Sequence, residues 1–204
     1  MVTTVEFLQI LSSAEIGMLR APLNPFALTA KEFLGFAVED SEIDTIHSKV
    51  NTLSNVKRTI DCRIEELLYC YCLYKKSSHH MWNIPTKLQI LNQIGILAPR
   101  ILRKINALRN RLEHQFEKPS FEEIEDAVDV AQLFIGATEN LCFAIMELHV
   151  GSVVEPDCII VIKRDKDEIE LQTDSQKQIL KIGIQDDWIA VAEILVKKRK
   201  SWLP

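Results

Sequence analysis

Arg109, Asn110 and His114 lie close together in the stretch Ile105-Asn106-Ala107-Leu108-Arg109-Asn110-Arg111-Leu112-Glu113-His114, with four residues between the arginine and the histidine. An imidazole takes up and releases protons near neutral pH. A guanidinium holds a phosphate through paired N–H donors and answers the negative charge that grows on it in a transition state. Those two groups are what RNA cleavage without a metal requires. The ribose 2′-hydroxyl is already held beside the phosphorus, so no external nucleophile has to be bound.

The residues that must position this set read as a helix over 99–116. At about 100° per residue, Ile101, Ile105, Leu108, Leu112 and Phe116 fall on one face, which is the core side. Arg103, Asn110 and His114 fall together on the opposite face, with the small Ala107 close to that line. A polar stripe around a small residue suits a second helix packing across it, for example its own copy in a two-fold dimer. Arg109 lies about 140° from His114 on a straight helix. Its spacing from Glu113 also suits a surface ion pair. A long side chain, a distorted turn or a partner subunit is needed to bring Arg109 to a phosphate at His114.

The stretch resembles the Arg-Asn-x-x-x-His motif of the HEPN family of small helical RNases and nucleotide-binding domains. The resemblance is strict over 108–114 and looser over 99–149. It implies a helical bundle that pairs so that two copies of the motif face one cleft. It also implies roles. His114 takes the 2′-hydroxyl proton or protonates the leaving 5′-oxygen, Arg109 binds the phosphate, and Asn110 orients either group. The products would be a 2′,3′-cyclic phosphate and a 5′-hydroxyl. Many members serve as toxins or antiviral effectors, and others have lost cleavage and keep an RNA-binding or protein-interaction role. The expectation is therefore a metal-independent endoribonuclease acting in a toxin–antitoxin or phage-defence setting. The alternative is a catalytically inactive module. RNA, a homodimer through the motif helix and a possible antitoxin or regulatory protein are the expected partners. No cofactor or metal is expected.

Charge is compatible with this. The chain of 204 residues has a net charge of −5, which argues against a generally basic nucleic-acid binder and requires a local patch. Arg100, Arg103, Lys104, Arg109 and Arg111 supply one along the motif helix, the first three and Arg111 being candidate RNA contacts. A solvated basic helix face explains the same residues. The five cysteines include no Cys-x-x-Cys pair and mostly sit in apolar patterns, as expected of reduced thiols in a cytoplasmic protein. Neither a signal peptide nor a membrane-spanning run is expected.

The fold expectation is mainly α: a HEPN-like helical bundle over residues 1–150, then a small C-terminal antiparallel β appendage over 151–204 with a closing helix. Apolar spacing predicts helices over 5–19 and 26–38, and a long helix, or two with a kink, carrying Ile43, Ile46, Val50, Leu53, Val56, Ile60, Ile64, Leu67 and Tyr71. Residues 77–82 read as a polar break. Pro85 suits the first turn of a short helix that Gly95 ends. Ser120 and Glu123 form a capping box for a helix running to about His149 and closed by Gly151. Residues 158–162, 168–172 and 179–184 read as strands; the spacing of 188–198 allows a closing helix or a strand, with the helix preferred.

Other residues carry weaker signals. His79 and His80 are adjacent without further ligands at metal spacing, and loop histidines explain them better than a metal enzyme. His47 reads as structural. Cys70 and Cys72, beside Leu67 and Leu68, read as a packing face rather than redox chemistry. Asp186 and Asp187 suit an N-cap as well as a cation. Lys197, Lys198, Arg199 and Lys200 before Trp202 suit phosphate contacts or, more simply, a solvated basic tail.

Overall fold

The computed structural model describes residues 4–20, 26–96, 118–151, 156–164, 166, 168–173, 177–181 and 188–201. The chain forms two compact units, Met1–Leu23 with Leu67–Ile96 and Asn140–Pro204, and Asn24–Glu66 with Leu97–Glu139.

The first unit is built on a five-stranded antiparallel sheet in the order β1-β2-β3-β4-β5. Its strands are β1 (Glu15–Arg20), β2 (Ala144–Gly151), β3 (Pro156–Lys163), β4 (Glu168–Gln172) and β5 (Lys177–Lys181). The expected fold class is corrected here. The sheet is not a small C-terminal appendage on a helical bundle, because it takes an edge strand from the first twenty residues and a second strand from Ala144–Gly151, where the bundle's last helix is expected. The fold is mixed α and β.

Both misread segments have a physical reason. The predicted helix over 5–19 is split into α1 (Thr4–Ser13) and β1. Ile16 and Leu19 fit helical spacing, yet they pair instead with Leu148 and Ile145 of β2, and the register slips around Gly17. The helix expected to reach His149 stops at Glu139. From Ala144 onward the chain is strand: Ala144, Ile145 and Leu148 are buried, and Glu147 and His149 flank Leu148 half-buried on the other face. Pairing to β3 on one side and β1 on the other overrides the local helical pattern.

Leu148, Ile160, Ile162, Ile169 and Leu171 form the buried face of the sheet. The opposite face carries a charge ladder. Glu170 of β4 is paired with Lys163 of β3 and, at 2.9 Å, with Lys177 of β5. These two lysines pull the Glu170 carboxyl from the ordinary 4.5 down to about 2. The helices of this unit include α1, the last turn of α3 (Ile46–Cys70), α4 (Tyr74–His79), α5 (Ile84–Gln93) and, further along the chain, Trp188–Ser201. Residues 77–82, expected to be a break, are therefore partly helical. Pro85 stands in the first turn of α5, and Gly95 follows that helix at φ +90, as the sequence suggests.

The C-terminus of α3 is tied down by three side chains. Arg164, at the end of β3 and 6% exposed, donates from Nε and Nη2 to the Cys70 carbonyl at 3.2 and 2.8 Å. The Tyr71 hydroxyl donates to the Leu141 carbonyl at 2.8 Å, and the Cys70 thiol to the Cys142 carbonyl at 3.1 Å. A helix ends on orphan carbonyls, and a buried end needs such donors.

The second unit is helical in its described residues: α2 (Ala30–Ser41), Ile46–Glu66 of α3, and α6 (Phe121–Glu139), with α2 packed on α6. Thr29 and Glu32 cap α2 reciprocally, and Ser120 and Glu123 do the same for α6, the Glu123 N–H donating to Ser120 Oγ at 3.1 Å. Ser41 closes α2, and Thr45 caps α3 by accepting from the Ser48 N–H at 3.1 Å. The predicted apolar stripe is buried from Leu53 to Tyr71, while Ile43 and Ile46 are exposed. Beside it runs a second buried stripe that is polar: Ser48, Thr52, Asn55, Thr59, Arg63 and Glu66. Thr52 and Thr59 satisfy themselves on the carbonyls of Ser48 and Asn55, and the Glu66 carboxylate accepts the Ala30 N–H at the start of α2 at 3.0 Å.

These contacts give two tests. Arg164→Met should lower unfolding free energy by about 1–3 kcal/mol, because the Cys70 carbonyl is left buried without its donors; urea titration measures it, and an unchanged midpoint contradicts the anchoring role. Glu170, whose pKa is depressed, stabilises the fold above the ordinary carboxylate range and loses that contribution as pH falls from 4.5 toward about 2. Glu170→Gln should therefore show a shallower loss of melting temperature over that window than the wild type; parallel profiles would show that the ladder contributes nothing.

Candidate functional site

Arg109, Asn110 and His114, with Arg100, Arg103, Lys104 and Arg111, lie outside the described residues, which stop at Ile96 and resume at Lys118. The structure thus supplies the flanks. On one side the Ile96 N–H reaches the Leu91 carbonyl at 2.8 Å, closing α5, and the Ile96 side chain is fully buried. On the other, the Ser120 capping box opens α6. Both ends are fixed by local bonds that the sequence foretells.

The weaker candidates are placed directly. His47 is exposed on α3. Cys70 is buried, and its thiol is pushed well above its ordinary value by its interaction with Cys142 and then by burial, so it stays protonated and unreactive. Cys62 lines a pocket of about 340 Å³ in the helical unit together with Phe26, Leu28, Phe33, Asp61 and Glu65. Burial first, then the Glu66 carboxylate, pushes the Cys62 thiol up to about 12. That pocket has the volume of a small ligand site but offers no thiolate near neutral pH.

The basic run near the C-terminus belongs to α7 (Trp188–Ser201), where Arg199 is buried, Lys198 is partly buried, and Lys197 and Lys200 are exposed. Lys197 pairs with Glu193 at 2.7 Å. Lys198 caps α1 through the carbonyls of Ser12 and Ala14. Arg199 is buried with its guanidinium 5.1 Å from the centre of the Phe143 ring, and Lys200 donates to the Gly95 carbonyl at 2.6 Å. Asp186, Asp187 and Trp202 lie outside the described residues.

Two arrangements escape a reading by spacing alone. His149 and Glu147, two apart on β2, share one face of the sheet, with Nε2 and the Glu147 Oε1 2.5 Å apart and Nδ1 buried without a hydrogen bond. Gly17 of β1 lies against the ring, where an added Cβ would stand 2.6 Å from Nε2. The glycine inside an otherwise apolar pattern was the available signal, since a strand glycine marks a bulge or a close approach. The second arrangement is the turn after α4. His79, His80 and Met81 are exposed there, His79 and His80 meet edge to face at 5.0 Å, and His80 stacks on Trp82 at 6.5 Å and 17°. Among the described residues no group of three or more His, Cys, Asp or Glu is arranged to hold a metal, and no helix is long and apolar enough to cross a membrane.

Comparison with family models, with curated proteins and with solved structures finds no match to this chain.

The His149 contact gives a test by double-mutant cycle. Gly17→Ala should destabilise through the clash with the imidazole, and Gly17→Ala in a His149→Ala background should lose measurably less, with a coupling of about 0.5–3 kcal/mol. Strict additivity would show that the ring does not rest on Gly17.

Proposed function

We propose that the chain is a metal-independent endoribonuclease of HEPN type, cytoplasmic and acting as a homodimer through residues 99–116. The observation that carries this reading is the Arg109-Asn110 pair four residues ahead of His114. Charge distribution supports it. Residues 67–112 contain eight Lys and Arg and no Asp or Glu, leaving 16 basic against 29 acidic residues in the rest of the chain. A phosphate backbone is attracted to such a tract even in a protein that is acidic as a whole.

In this reading His114 removes the proton of a ribose 2′-hydroxyl. The 2′-oxygen attacks the adjacent phosphorus, and the bond from phosphorus to the 5′-oxygen breaks. The leaving oxygen takes a proton from the His114 of a second subunit or from water, so one strand ends in a 2′,3′-cyclic phosphate and the other in a 5′-hydroxyl. Arg109 binds the non-bridging oxygens, whose charge is greatest in the transition state. Asn110 orients the imidazole or the phosphate. A toxin–antitoxin or phage-defence setting, with an antitoxin or regulatory protein as partner, comes from the same resemblance.

Purified protein should cut RNA in the presence of EDTA. His114→Ala should slow cutting by about 10²–10⁴-fold, the range of general acid–base catalysis, while the melting temperature stays within a few degrees. Cutting that EDTA stops and a divalent metal restores, or a His114→Ala variant that cuts normally, contradicts the proposal. RNA binding without cutting assigns the chain to the inactive RNA-binding class.

A further inference from the structure

The turn joining α4 to α5 exposes what a fold ordinarily buries. Met81 is 87% exposed, His79 and His80 are exposed, and Trp82 is partly so. The same unit buries Trp188 to 6% against Phe7, so it has room for a tryptophan where packing wants one.

The backbone N–H groups under these side chains are hydrogen-bonded. The N–H groups of His80, Met81 and Trp82 reach the carbonyls of Lys76, Ser78 and Ser77 at 3.0, 3.2 and 3.0 Å. Met81 takes a left-handed conformation, φ 48, to close this helix end, a geometry that side chains other than glycine adopt at a cost. The next residue but one, Asn83, caps α5 by accepting from the Thr86 N–H at 3.0 Å. The His80 and Trp82 rings therefore stand on a rigid corner between two helices, nearly parallel at 17°. Rings held in this way lose little entropy when a flat ligand stacks on them. The turn also lies in the acid-free tract, with Lys75 exposed and Lys87 half-buried on the flanking helices (Lys76 is buried) and no carboxylate in the sequence from Leu67 to Leu112. Aromatic and imidazole faces among basic residues suit a strand that is anionic along its backbone and planar along its bases.

We propose that His80 and Trp82 form a stacking platform for the bases of single-stranded RNA, a binding site separate in sequence from the Arg109–His114 motif. The proposal rests on the ribonuclease reading for the identity of the strand, and it adds where the strand is held. Trp82 supplies the larger ring and His80 a second face with an N–H that can reach a phosphate or a base edge.

The test uses the full chain and two uncleavable probes, a short 2′-O-methyl oligoadenosine and an abasic strand of the same length, read by fluorescence anisotropy. Trp82→Ala should weaken oligoadenosine binding about tenfold, the order of one lost base stack, and leave abasic-strand binding unchanged. Trp82→Phe, which keeps a ring and guards against a folding defect, should retain most of the affinity. Equal affinity for wild type and Trp82→Ala, equal losses on both probes, or no binding of oligoadenosine by the wild type overturns the platform. So does a Trp82→Ala variant that turns a dimer into a monomer without changing oligonucleotide affinity, which would assign the surface to a second copy. The two readings fail separately. Stacking-dependent binding by a protein that leaves natural RNA uncut keeps the platform and removes the nuclease. Normal cutting and binding by Trp82→Ala does the reverse.

Discussion

Arg164 is a buried cation whose contacts are a main-chain carbonyl and, at 3.5 Å, the Met146 sulfur. A guanidinium taken out of water needs its N–H donors occupied, and a helix end taken out of water needs its carbonyls occupied. Each need is met by the other at Cys70. The helix dipole adds to the match, since the carbonyl end of α3 carries partial negative charge. Tyr71 and Cys70 extend the same junction to Leu141 and Cys142, just ahead of β2. Three distant parts of the chain thus meet at one helix terminus. The sheet cannot move from this terminus without exposing an unpaired guanidinium and unpaired carbonyls together.

The segment after Cys70 inherits that rigidity. The Leu73 N–H returns to the Leu68 carbonyl at 2.7 Å, Ser77 to Leu73 at 2.8 Å, and α4 then runs directly into the aromatic turn. A side chain displayed on a fixed corner binds with less entropic loss than one on a mobile loop, so the anchor at Cys70 bears on the stacking surface as well as on stability. The tract that begins at this junction is also free of carboxylates as far as Leu112. In a protein that is acidic as a whole, such segregation gives one stretch a local attraction for a polyanion, and that stretch ends at the motif.

Local signals in the sequence proved informative where one residue type has one physical use. Ser120 with Glu123, Pro85 and Gly95 mark helix ends because capping, a missing N–H and a left-handed φ are satisfied within a few residues. Strands β3 and β4 are also visible in their patterns, whereas the spacing of the last helix admits a strand as well. The strands β1 and β2 are not visible in this way. Their apolar residues fit helical spacing equally well, and pairing decides the matter: β1 pairs with β2, more than a hundred residues away in sequence, and β2 pairs also with β3. The polar stripe on α3 was hidden for a related reason. Periodicity reports apolar faces, whereas Thr52 and Thr59 become buriable through hydrogen bonds that no pattern displays. The basic residues of α7 looked like a tail because their acceptors, at Ser12, Ala14 and Gly95, belong to remote turns. The candidate site is legible only as chemistry: Arg109, Asn110 and His114 lie outside the described residues, so residue type and spacing alone carry it.

In the proposed reaction the 2′-hydroxyl of the RNA is the nucleophile. Mass spectrometry of the fragments from one defined RNA tests this without reference to any variant. Attack by that hydroxyl leaves a 2′,3′-cyclic phosphate on one fragment and a 5′-hydroxyl on the other, with no product when the ribose at the cut carries a 2′-deoxy substitution. Fragments ending in 3′-hydroxyl and 5′-phosphate, or cutting that tolerates the deoxy sugar, would contradict it.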